Sequence, residues 1–278
     1  MTRIKVICFL YNEEFLLPFF LEHYRWADVI HAVVSRSTDR TRSILELASD
    51  CMATEIMIED WEFPAGFDDT LKRDKVNDCL RRADDCAWQI VVDADELVWP
   101  APFTASLKWT LRNGVRSVHE FLDKVPPEQS ALTARMWSVF RHATESDLVL
   151  ADGLEPVLQR RHGDSNRNSA GNAPYQKPII LRANRGLQLG LGNHSVHGPS
   201  PHPDTLPSHP MEAEREWSFD GVHWQNADPS FCVARRVRDR RDRLSETNRR
   251  LGLGSQHLTD EAAVLALCEA HRQDPQCF

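Results

Sequence analysis

Four short apolar runs alternate with helical patterns along the first hundred residues, and this alternation narrows the fold more than any other feature of the chain. Residues 4–10 (IKVICFL) and 29–34 (VIHAVV) are nearly continuous apolar runs of strand length, the pattern of strands buried on both faces. Residues 55–58 and 88–92 (WQIVV) complete the set. Between them the period changes. Asn12 reads as the cap of a helix beginning near Glu13, with Phe15, Leu16, Phe19 and Phe20 apolar. Residues 43–48 and 72–83 read as two more helices, the latter with Val76, Cys79 and Leu80 on one side. Strand and helix in turn predict an α/β fold: an open, mostly parallel sheet with helices on both faces, whose ligands bind beyond the carboxyl ends of the strands. Tyr11 to Glu13, Ser35 to Asp39 and Asp93 to Asp95 fall along that edge.

The middle of the chain has another character. Short strands are expected at 117–121, 134–140, 156–159, 178–182 and 187–191, and a Gly-, Asn- and Ser-rich loop at 162–175. Prolines 199, 201, 203, 207 and 210 mark a linker or lid. Helical patterns follow at 230–250 and 259–272. The expected organisation is one α/β domain over residues 1–197, a Pro-rich segment over 198–216, and a helical C-terminal extension over 217–278.

Composition excludes several classes. No apolar run approaches the ~20 residues of a membrane span, and the run after the basic start ends at once in Asn12-Glu13-Glu14, so a cytoplasmic protein is expected. The seven cysteines form no CxxC pair and are expected to be reduced. A net charge of −8 argues against a uniformly basic surface for nucleic acid. The sign reverses locally, at Arg235, Arg236, Arg238, Arg240, Arg241, Arg243, Arg249 and Arg250. On an α-helix Arg236, Arg240 and Arg243 share a face, which reads either as a salt-bridged surface or as a docking stripe for a polyanion.

The sharpest local signal is Asp93-Ala94-Asp95 at the end of an apolar strand. Two carboxylates one residue apart repel unless a cation lies between them or one is protonated. Hard oxygen donors of this kind suit Mn²⁺ or Mg²⁺, which complete their shells with substrate phosphates.

Together with Asn12-Glu13-Glu14 after the first strand and Ser37-Thr38-Asp39-Arg40-Thr41 after the second, the run WQIVVDADEL resembles the nucleotide-sugar half of the family 2-like glycosyltransferases with the GT-A fold. The D-x-D-E form is especially similar to the branch that decorates polysaccharides and other surface glycans. The resemblance covers residues 3–100 and continues more thinly through residues 177–182 to His194. It implies a nucleotide-sugar half over 1–100, an acceptor half over 101–197, and metal-dependent, inverting transfer of a sugar from a nucleotide-sugar donor, UDP-sugar favoured, to a hydroxyl acceptor. Asp95 is then the direct metal ligand, Asp93 holds the ribose or a metal-bound water, and His194 is a further ligand, with His197 and His223 behind it. Tyr11, Asn12, Glu13, Ser35, Asp39, Asp93 and Ala94 line the nucleotide site, and Lys72 and Arg73 offer charge to phosphate. Asp39 and Thr41 read equally as caps of the following helix. The chain departs from the family at Val34-Ser35-Arg36, where acidic residues usually precede the turn. Glu155 and Asp152 are the candidate general bases, with Asp164 behind them. A glycan is the first expectation for the acceptor, with peripheral membrane contact allowed. The alternatives are a DNA-modifying glycosyltransferase that acts on hydroxymethylated bases through the Arg-rich helix, or a non-catalytic nucleotide- or nucleic-acid-binding protein.

Overall fold

The computed structural model of the protein describes residues 2–82, 84–100, 117–145, 147–148, 163–164, 176–198, 217–253 and 258–271. The alternating half folds as β1 (Ile4–Leu10), α1 (Leu17–His23), β2 (Val29–Val34), α2 (Thr41–Cys51), β3 (Glu55–Asp60), α3 (Asp69–Arg81) and β4 (Trp88–Asp93). Beyond it come β5 (Glu96–Pro100), α4 (Val118–Lys124), β6 (Ala131–Phe140), β7 (Gly163–Asp164), β8 (Gln176–Arg182), β9 (Gln188–Leu189), β10 (Val196–His197), β11 (Phe219–Asn226), α5 (Pro229–Val233), α6 (Glu246–Leu251) and α7 (Glu261–His271).

One sheet carries the fold, in the order β3-β2-β1-β4-β8-β6-β11-β5, with β7 on β6. Strands β1 to β4, β6 and β11 run one way, and β5, β7 and β8 run against them. Apolar runs of this kind need cover on both faces. Val6, Cys8, Ile30, Ala32, Ile90 and Val92 pack into a core closed by Leu17, Phe20 and Leu21 of α1, Leu45 of α2 and Phe121 of α4. Ile7, Val33 and Val91 pack on the other face under Val76, Cys79 and Leu80 of α3. This is the expected α/β architecture, a Rossmann-like sheet of GT-A type with helices on both faces and a helical C-terminal region. Among the described residues no helix is long and apolar enough to cross a membrane.

The differences from the sequence pattern have local causes. Asn12 does not cap α1: its φ is +52°, and its Oδ1 accepts from the Thr38 N–H at 2.8 Å, so the helix starts only at Leu17. Helix α3 starts three residues before Lys72, because Asp68 accepts from the N–H groups of Thr70 and Leu71. Residues 117–121, expected as a strand, open α4: Ser117 caps it, and Val118, Phe121 and Leu122 recur at i, i+3, i+4. Residues 219–226, assigned by pattern to the extension, form β11 between β6 and β5. Gly221 interrupts their apolar run, yet a Cβ there would meet Met136 Sδ and Val98 Cγ1 at 2.7 Å, so the close strand packing requires it. The expected helix 230–250 is broken into α5, a π-helical turn Ala234–Arg240, a 3₁₀ turn Arg241–Arg243, and α6. The expected strand 156–159 and nearly all of the 162–175 loop and the 198–216 segment lie outside the described residues.

Candidate active site

The carboxyl edge of β1, β2 and β4 brings together the three motifs that the sequence placed there. The turn after β1 is locked to the turn after β2. The N–H groups of Asn12 and Glu13 donate to Ser37 Oγ (3.1 Å) and Thr41 Oγ1 (2.8 Å). Asp39 spends one carboxylate oxygen on the Glu14 N–H and the other on the Thr41 N–H, each at 2.9 Å. The Thr41 bond is an i, i+2 turn onto the first residue of α2, whose N-cap position is Arg40 with no side-chain cap. Ser35 is buried, with its N–H on the Leu10 carbonyl at 2.9 Å. These bonds fix the backbone from which Tyr11 and Glu13 project.

At the end of β4 both carboxylates are paired with protein cations. Lys72 Nζ donates to Asp93 Oδ1 at 2.5 Å. Burial works against ionisation of Asp93, but Lys72 and Lys177 outweigh it and hold its pKa below the usual range. Asp95 is wholly buried, and its Oδ2 lies 2.9 Å from Arg235 Nη1 and 3.0 Å from His223 Nε2. Burial again opposes the charge, and Arg235 and His223 together keep Asp95 well below its ordinary value. Arg235 reaches further, placing Nη2 2.9 Å from Glu13 Oε1. That pair is unequal. Burial raises Glu13 to about 8 despite the neighbouring guanidinium, whereas Arg235, facing Asp95 as well as Glu13, is held more firmly protonated. Ala94 is buried between the two aspartates. Behind them Glu96, fully buried, is salt-bridged to Lys177, and its other oxygen accepts from the Asp93 N–H at 3.1 Å. The acidic residue of D-x-D-E therefore braces the motif from within.

The other expected participants are distributed unevenly. Tyr11 is at the edge, with the Arg243 guanidinium carbon 3.1 Å above its ring. Arg73 turns to its neighbour Asp74, with Nη2 to Oδ1 at 2.7 Å, and does not join Lys72. His194 follows a short 3₁₀ turn as an exposed residue whose ring is partly enclosed by protein. The protein around its ring and the Lys177 charge nonetheless lower its pKa to about 4. Glu155 and Asp152 lie outside the described residues, and of Asp164 only the backbone is described, in β7 beside Ser138.

Asp93, Asp95 and His194 do not bring their ligand atoms within 4.8 Å of one another. Among the described residues the trio that does is His31, Glu59 and Cys79. There Glu59 already accepts from Lys75 and Arg82, so two fixed cations stand where an ion would. At the sheet edge the better pair is Asp95 with His223. A carboxylate and an imidazole 3.0 Å apart, with no hydrogen bond on Asp95 Oδ1, are donors of the kind a divalent cation takes, with Arg235 already 2.9 Å from Asp95 Oδ2.

Arg235 and the placement of His223 are what sequence reasoning missed. Both follow from β11 entering the sheet: His223 is opposite Glu96 in the register, and the Trp224 N–H donates to the Asp95 carbonyl at 2.6 Å. The stripe expected from Arg236, Arg240 and Arg243 is not formed, because the segment is π-helical and 3₁₀. Arg235 is buried in the crevice, Arg243 lies on Tyr11, and Arg236 Nε is buried without a hydrogen bond.

No family model matches this chain, and no curated protein sequence matches it. Among solved structures it is similar to S. aureus TarS residues 1–349, at 18% identity over 65% of this chain and 47% of that one, with a TM-score of 0.35. The same TarS fragment in complex with UDP-GlcNAc matches at 18% identity, over 65% of this chain and 45% of that one, with a TM-score of 0.34. HddC from Yersinia pseudotuberculosis matches at 10% identity over 66% and 74%, with a TM-score of 0.28. The chain thus spans about half the length of the TarS fragment, and likenesses at these scores say nothing of chemistry.

Proposed function

We propose that this chain is a glycosyltransferase that binds a nucleotide-sugar, UDP-sugar favoured, at the carboxyl edge of β1 and β4 and passes the sugar to a hydroxyl acceptor, most simply a glycan. The observation that carries the reading is the buried cluster of Asp95, Arg235, His223 and Glu13 at a strand-end crevice where open α/β sheets bind ligands. As the glycosidic bond breaks, charge grows on the diphosphate and the sugar becomes oxocarbenium-like, so fixed positive charge at the phosphates favours the transition state over the ground state. Asp95 and His223 are the residues that would hold Mn²⁺ or Mg²⁺, which when bound would supply Lewis-acid stabilisation of the leaving diphosphate. Lys72 orients Asp93 toward the ribose side, and the Tyr11 ring with Arg243 offers a flat face for the base. For an inverting transfer Glu155 or Asp152 takes the acceptor proton.

The test is calorimetric titration of UDP, with and without Mn²⁺, on the wild type and on Asp95→Asn. Metal-enhanced binding that is lost in the variant is the expected result. Silence of the wild type toward UDP, GDP, CDP and dTDP alike would overturn the reading.

A further inference from the structure

The C-terminal segment contains a cation that the fold does not use. Arg240 makes no hydrogen bond or ion pair among the described residues, although it is half-buried and near enough to Arg235 and Asp95 to feel both charges. Burial and the neighbouring Arg235 lower its pKa, while Asp95, Asp93 and Glu13 pull the other way from a distance. A desolvated guanidinium beside a second guanidinium, without a counter-ion in contact, costs stability. Such a cost persists where function requires it.

The backbone shows what the cost provides. Ala234–Arg240 is π-helical, and the Arg241 N–H donates to the carbonyl of Arg236, five residues back. Residues five apart stack on one side of a π turn, whereas on an α-helix they would diverge by about 140°. Arg235 and Arg240 are such a pair. The segment is also fastened to the loop before α3. The Phe67 N–H donates to the Arg243 carbonyl at 2.6 Å, the Ser245 N–H to the Phe67 carbonyl at 2.9 Å, and Asn248 Nδ2 to Asp69 Oδ2 at 2.9 Å. Asn12 Nδ2 reaches Asp239 Oδ1 at 3.4 Å from the opposite side. The arginines are therefore held in place before any ligand arrives. Arg235 itself, only 5% exposed, commits Nη1 to Asp95 and Nη2 to Glu13 and leaves Nε without a partner.

We propose that Arg240, with Arg235 beside it, is the binding pair for the diphosphate of the donor, and that the π turn serves to aim both guanidinium groups into the crevice. The inference rests on the nucleotide-sugar reading of the site. A diphosphate is the fitting ligand because it brings two adjacent anionic groups, one for the Arg240 fork and one within reach of the remaining Arg235 N–H, and because it supplies the counter-charge that Arg240 lacks.

The experiment is titration of UDP, UMP and uridine into the wild type and Arg240→Met, both as full chains, with thermal unfolding measured on each. Removing one charge-assisted phosphate contact should weaken UDP binding by about tenfold to a hundredfold. UMP should lose less, and uridine nothing. Arg240→Met should melt no lower than the wild type, since an unpaired charge has been removed, so weaker UDP binding cannot be attributed to unfolding. A variant that binds UDP within twofold of a wild type that does bind it would sink this proposal and leave the function standing. An equal loss for UDP, UMP and uridine would sink it too, because the effect would then lie in the base pocket. A wild type that binds no nucleoside diphosphate would remove both.

Discussion

Glu13→Gln isolates the electrostatics of the crevice from its chemistry. Burial raises the Glu13 carboxyl from its ordinary 4.5 to about 8, in spite of Arg235 at 2.9 Å. Between those two values the native state keeps a proton that the unfolded state releases. Native protein then binds more protons than unfolded protein, so this group's contribution to stability is fully present below pH 4.5 and is lost as pH rises through 8. At about 1.4 kcal/mol per pH unit, the full loss is ~4–5 kcal/mol. Glutamine keeps the shape and a hydrogen-bonding oxygen for Arg235 but never ionises. The expected result is a pair of urea-unfolding series, at pH 5, 6, 7, 8 and 9, that coincide at the acid end and separate progressively as pH rises, the variant becoming the more stable. The oppositely shifted Asp93 and Asp95 are common to both proteins and largely cancel in the difference. Two parallel series, or a variant that falls below the wild type with rising pH, would refute the assignment of Glu13 as a carboxyl held neutral near pH 7.

Asp95→Asn should cost about 3–5 kcal/mol in urea unfolding, because Arg235 loses its main counter-ion inside the protein. The same variant should lose metal-enhanced UDP binding in calorimetry. Gly66→Ala should weaken UDP binding and lower Tm together, since Gly66 has φ +88° and a Cβ there would stand 2.5 Å from the Arg243 carbonyl oxygen, pushing the arginine segment off its seat. Tyr24→Phe tests the far side of the D-x-D strand. The Tyr24 hydroxyl donates to the Glu96 carbonyl at 2.9 Å and accepts from the Val98 N–H at 3.1 Å, so its loss should destabilise by roughly 2–3 kcal/mol with UDP affinity unchanged.

The alternation of periods carried the N-terminal half of the fold because strands buried on both faces write nearly continuous apolar runs, and β1, β2 and β4 do so. It carried the Asp93 and Asp95 edge for the same reason: the run stops where the strand leaves the core. It could not carry β11, whose Gly221, His223 and Asn226 answer to particular neighbours rather than to a period. Nor could it carry the arginines. Spacing on an ideal α-helix grouped Arg236 with Arg240 and Arg243, but π and 3₁₀ turns reset the angle per residue, and Arg235 went inside instead. Backbone irregularity of that kind is set by tertiary contacts, here the bonds from Phe67 and Asp69 to Arg243, Ser245 and Asn248.

Ion pairing within the crevice explains how a chain of net charge −8 keeps uncompensated guanidinium groups there. Asp93 is met by Lys72, Asp95 by Arg235, and Glu96 by Lys177. Glu13, raised to about 8, carries little charge at neutral pH. Among the described residues Arg240 is then left without a counter-ion in contact, as is Arg243 over the Tyr11 ring. Acidic residues elsewhere on the surface repel a nucleoside diphosphate, and field focused at one cationic opening raises its local concentration there. The association rate of UDP should accordingly fall with added salt in the wild type and depend less on salt in Arg240→Met, which stopped-flow mixing at two ionic strengths would reveal. Equal salt dependence in the two proteins would mean that the opening draws its ligand by some other charge.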